Sequence, residues 1–149
     1  MLFRSTGTIA GLATITPASG FVGPIGGLII GIAAGTVCYL MVHVIKQRFK
    51  IDDSLDVFAV HGIGGLTGTL LVSVLALPLF GGLGLAEGMT VGRQLGVQAL
   101  GSVAVAAWSV VGSVIIIWIV RALTPLRVSE DDETEGLDVT IHGERGYNF

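Results

Sequence analysis

Three stretches of the chain carry long apolar runs broken only by small residues, and polar positions collect between them. Phe21 to Ile45 contains no charged residue, and neither do the 24 residues from Val57 to Phe80. As a helix the second run would reach about 36 Å, against about 30 Å for the hydrocarbon core of a bilayer. Leu95 to Leu123 forms a third run, rich in Val, Ala and Ile. The pattern predicts an all-α polytopic membrane protein with three full transmembrane helices. A shorter N-terminal segment, Met1 to Ala18, allows two readings. It has the layout of a leader, with Arg4, a weak apolar stretch Gly7–Ile15 and a small-residue exit at Ala18-Ser19-Gly20. It also reads as the end of a membrane helix whose beginning is absent, closed by Pro17 and Gly20.

Punctuation sharpens these elements. Gly23, Gly27, Gly31 and Gly35 recur at every fourth position of the first full span. Such a ridge lets helix backbones approach closely, and Gly27 and Gly31 are expected to serve packing rather than chemistry. Gly64 and Gly68 fall at helical spacing from His61, which predicts one narrow face for all three. At the head of that span Asp53 or Ser54 is placed to cap orphan amides, and Asp56 in the first turn would oppose the helix dipole. Pro78 and the Gly81-Gly82-Leu83-Gly84 run mark a loop, and Trp118 beside Arg121 suits an interface.

Composition agrees: 52% of residues are hydrophobic, 13% are charged, and mean hydropathy is +0.83. The net charge of -3 hides a split. Residues 1–128 carry +3 and residues 129–149 carry -6, so a membrane domain (1–128) is followed by an acidic tail (129–149). The run Glu130–Glu135 reads as a solvated linker, and the residues after it as a peptide that docks on a surface. Lys46, Arg48 and Lys50 follow the first full span, and Arg121 and Arg127 the last, which places that loop and the C-terminus in the cytoplasm. No basic cluster with interleaved aromatics exists, which argues against nucleic acid as a partner. The single Cys38 excludes an internal disulfide, and neither a metal site nor a cofactor is expected.

His61 is the candidate chemistry. A titratable group inside a span marks function by default, because desolvating it is costly. A neutral imidazole in a narrow apolar passage can donate through one nitrogen and accept through the other, so it could bind a small polar species stripped of water. A histidine satisfied by a neighbouring helix is the plainer alternative. No nucleophile and base share a motif, so an enzyme is not expected. His43 and His61 flank the same basic loop, and two facing helical histidines can hold a haem, a third alternative. His142 reads as a solvated histidine.

The run Asp52-Asp53-Ser54-Leu55-Asp56-Val57-Phe58-Ala59-Val60-His61-Gly62-Ile63-Gly64-Gly65 closely resembles the signature around the second pore histidine of the Amt/Mep/Rh ammonium transporters. Ala10–Gly20 resembles the end of that family's eighth helix, and Leu83–Thr90 the loop before its eleventh. Gly136-Leu137-Asp138 with His142-Gly143-Glu144-Arg145-Gly146-Tyr147 is similar to its cytoplasmic tail, of the Amt type. The resemblance implies a homotrimer of eleven-helix protomers in the cell membrane, each with its own pore for nitrogen uptake. Ammonium is deprotonated at the outer mouth, and ammonia passes a pair of histidines. His61 matches the second of the pair and Val57 a pore-lining apolar position. The tail residues Gly136, Asp138, His142 and Tyr147 match a segment that takes part in control by PII-type signalling proteins. The chain corresponds to the last quarter to third of this pattern, without the first pore histidine or the recruitment site. Pores of inverted-repeat transporters form between the two halves. The chain alone is therefore expected not to conduct; the alternative is a non-conducting membrane module that binds a full-length transporter or its regulator.

Overall fold

The computed structural model describes residues 2–147, with side chains from Thr6 onward, so Arg4 of the leader reading lies outside the described side chains. The order is α1 (Leu2–Ile15), α2 (Pro24–His43), α3 (Gly64–Leu75), α4 (Val91–Leu123), α5 (Glu130–Glu135) and α6 (Leu137–Thr140). A π-helical turn, Val44–Arg48, extends α2, and a second, Phe58–Ile63, leads into α3. Among the described residues three helices are long and apolar enough to cross a membrane: Pro24–Arg48, Phe58–Leu75 and Val91–Leu123. The chain divides into two compact units, Met1–Val105 and Ala106–Phe149, and the boundary falls inside α4.

In the first unit α1, α2 and α3 pack on one another. One apolar cluster joins Ala18, Ile30, Val72, Leu75 and Ala76; another joins Ala10, Cys38 and Val60. The buried row of α2 is Gly26, Ile30, Ala34 and Cys38, one residue away from the expected glycine ridge. Gly31 and Gly35 instead face outward, with open space where a Cβ would stand. Gly27 lies at the margin, where a Cβ would meet only the Ile15 Cδ1 at 3.4 Å. Only Gly31 and Gly35 of the ridge are thus left open, since Gly23 lies against the Gly81 backbone, while the adjacent row fills the local core.

The second span ends close to the loop that Pro78 marks in the sequence. Helix α3 ends at Leu75, because Leu77 before Pro78 is extended (φ -64°, ψ 146°) and the Pro78 ring disfavours helical geometry in its predecessor. The glycine loop then returns to satisfy the helix end: the Gly82 N–H donates to the Leu77 carbonyl at 3.1 Å and the Gly84 N–H to Ala76 at 2.7 Å. A side chain at Gly82 would collide with the Ala76 carbonyl, so this close return requires glycine.

Helix α4 begins at Val91, four residues ahead of the expected start at Leu95. Thr90 explains the shift, since its Oγ1 accepts from the Arg93 N–H at 3.3 Å, an N-cap. No residue of α4 is buried, including Trp108 and Trp118. A helix apolar on every side suits lipid or further helices as its surroundings.

In the second unit the acidic run is helical and has no buried residue. The Ser129 Oγ accepts from the Asp132 N–H at 3.2 Å, and Arg127 grips the Glu133 carboxylate at 2.8 and 2.9 Å. Four acids in the first turn of α5 oppose the N-terminal end of its dipole, which turns a repulsive run into a capped helix. Gly136, at φ 101°, then redirects the chain into α6. The Glu144 N–H donates to the Asp138 carbonyl at 2.8 Å and closes the turn that carries His142. Leu137 and Ile141 are exposed, as is Tyr147.

Candidate functional site around His61

The segment ahead of His61 is shaped by its carboxylates. The two oxygens of Asp53 accept from the N–H groups of Val57 (2.9 Å) and Phe58 (2.8 Å), the capping role anticipated for it. Ser54 takes no part and donates instead to Asp52 at 3.3 Å. Asp56 differs from expectation. It precedes the helix rather than sitting in its first turn, adopts a left-handed backbone (φ 57°), and directs its carboxylate to Lys46 Nζ at 2.7 Å. Asp56 is buried, and the ion pair links the two π-helical turns on either side of the basic loop.

The second π-helical turn decides which way His61 faces. With plain α-helical spacing His61 would stand over Gly64 and Gly68, but the wider turn inserts one residue and shifts the phase. Ala59 and Val60 occupy the packed seam, whereas Val57, Phe58, His61 and Gly62 are exposed. The expectation that His61 shares a face with Gly64 and Gly68 is thus corrected. Both glycines are buried on the other side. A Cβ at Gly64 would stand 2.8 Å from Thr14 Oγ1 and 3.1 Å from Cys38 Sγ, and one at Gly68 would run into the Thr14 carbonyl.

His61 opens onto a recess of about 560 Å³ lined by Ile51, Asp52, Asp53, Val57, Phe58 and Gly62. The structure therefore brings together Val57, His61 and Asp53 of the residues singled out from sequence. It separates Asp56, which with Lys46, Cys38 and His43 lines a groove of about 470 Å³ on the α1–α2 side. His43 lines that groove and His61 the recess, so the two histidines of the haem alternative open onto different surfaces. The Asp53 carboxylate is engaged by backbone amides, so the polar side chains the recess presents are the His61 imidazole and the Asp52 carboxylate, which accepts from Ser54. Thr14 was not singled out from sequence, and Lys46 and Cys38 were read there only for topology and disulfide chemistry. Lys46 had a signal in the opposite charge ten residues on, but the π-helical turns have none.

A family model for the Ammonium Transporter Family matches residues 1–147. The chain is 43% identical over 97% of its length to the ammonium transporter of Aquifex aeolicus, covering 34% of that protein. It is 40% identical over 99% of its length to that of Bacillus subtilis, covering 37% of it. Among solved structures, a Sensor Amt Protein superposes with a TM-score of 0.82 at 34% identity, over 94% of this chain and 34% of that one. The chain thus spans about a third of the length of these relatives. With a match across nearly all of its residues and three helices fit to cross a bilayer, the chain belongs to the ammonium transporter family and is a multi-pass membrane protein.

Proposed function

We propose that this chain is the C-terminal portion of an ammonium transporter and that His61 and Val57 contact ammonia in the pore of the complete fold. The observation that carries this reading is the orientation of His61. One side of its helix is packed against α1 and α2, and the other holds the imidazole in an otherwise largely apolar recess. An imidazole, with its two ring nitrogens, in such surroundings suits a small hydrogen-bonding molecule that has shed its water. The opposite wall of the passage comes from the rest of the family fold, so the chain by itself does not conduct. The basic loop Lys46–Lys50 and the tail lie in the cytoplasm. There Gly136, Asp138, His142 and Tyr147 form the segment through which a PII-type protein acts on the homotrimer.

The test is methylammonium uptake in a host lacking its own transporters. A chimera in which this chain replaces the matching segment of the Bacillus subtilis relative should restore uptake, and the chain alone should not. A correctly inserted chimera without uptake would contradict the proposal. The outward ridge at Gly31 and Gly35 favours a second reading, a non-conducting module that docks on intact transporters. Under that reading, co-expressing the chain with an intact relative lowers the relative's uptake.

A further inference from the structure

We infer that the Lys46–Asp56 ion pair is a positioning device: it holds the π-helical register that keeps His61 out of the packed seam and in its recess. Three observations converge on this. First, Val60 is buried one α-turn before Gly64, as in a plain α-helix, but Ala59, one π-turn before it, is buried as well while His61 is exposed, so the phase changes within Phe58–Ile63. Continued as a plain α-helix from Gly64 backwards, the chain would bring Val57 and His61 onto the Thr14–Cys38 seam and turn Ala59 outward. Second, the head of the helix is fixed independently of α3. Asp53 holds the Val57 and Phe58 amides, and the Val60 N–H donates to the Asp56 carbonyl at 2.9 Å. Third, Asp56 holds a left-handed backbone disfavoured for a residue with a side chain, and its carboxylate is tied to Lys46 at 2.7 Å.

Lys46 lies in the other π-helical turn, whose own phase is held where the Phe49 N–H meets the Val44 carbonyl and the Ile51 N–H meets the Ile45 carbonyl, each at 3.1 Å. The pair therefore couples two irregular turns across a short loop. A helix start anchored to α2 at one end, and an α3 anchored to Thr14 by close glycine contacts at the other, leave a mismatch of one residue. The π-helical turn absorbs it. Releasing the anchor at Asp56 lets the extra residue pass into the loop, and the helix relaxes to α with His61 rotated inward.

The term positioning rests on the proposed contact between His61 and ammonia, but the register can be tested without transport. Single cysteines are placed at position 61 or 59 of the full chain, in a Cys38→Ala background, and the protein is reconstituted in vesicles. Maleimide labelling should be fast for His61→Cys and slow for Ala59→Cys. Adding Asp56→Asn, which tolerates the left-handed backbone but removes the charge, should speed the second by about fivefold, the population shift expected from losing one partly exposed ion pair, and slow the first by a smaller factor. Lys46→Met should do the same, and the exchange Lys46→Asp with Asp56→Lys should restore the original pattern. Unchanged rates, or a rise at both positions from local unfolding, would overturn the inference. Retained labelling changes in a chimera indifferent to His61 would instead strike the transport reading and leave the register standing.

Discussion

At Gly68 a single hydrogen separates a good seam from a collision, because a Cβ there would meet the Thr14 carbonyl. Backbone cannot yield as a flexible side chain does. Gly68→Ala is expected to cost about 1–3 kcal/mol, read as a lowered Tm in detergent, because overpacking displaces the helices. Gly31→Ala makes the matched control. With open space around it and a helical backbone, it should be neutral or raise Tm slightly, since alanine favours helix over glycine by about 1 kcal/mol at most. The sequence shows both glycines at small-residue spacing, and nothing in that spacing separates them. What separates them is which helices surround each position, and that depends on three-dimensional neighbours. His61 poses the same difficulty. Its presence in a span was evident from sequence, but its direction depends on a change of helical phase that leaves no mark in the hydrophobic pattern.

Elements with local causes were the most readable. The three spans follow from apolar length alone, and the Asp53 cap follows from a carboxylate placed just before an apolar run. Removing that cap with Asp53→Ala should cost about 1–2 kcal/mol, because two amides lose their acceptor together. Hydrogen exchange at Val57 and Phe58 should speed accordingly, while exchange within Val91–Leu123 stays unchanged. The stop at Pro78 was legible too and acts through Leu77, whereas Thr90 lengthened another helix through a cap that the apolar count passed over. In the acidic run charge density indicated a solvated segment, and the helix that Ser129 and Arg127 organise there is exposed but left no mark in the charge pattern. Ser129→Ala should therefore fray this helix at a cost of about 1 kcal/mol, seen as faster exchange at the amides of Asp131, Asp132 and Glu133.

For the molecule as a whole, family and membrane character were recoverable from sequence, since a specific motif and long apolar runs are local properties. The site is a different matter, because it is open on one side. A chain covering about a third of its relatives presents an imidazole, an apolar neighbour and an outward glycine ridge, and the pore reading requires all three to meet the remaining helices of the fold. Methylammonium uptake by the Bacillus subtilis chimera, compared between His61 and His61→Leu at equal membrane insertion, bears on this most directly. If the imidazole hydrogen-bonds the passing molecule, the leucine variant should lose uptake on the order of tenfold, the equivalent of one hydrogen bond. Equal uptake by both proteins would mean that His61 does not face the substrate.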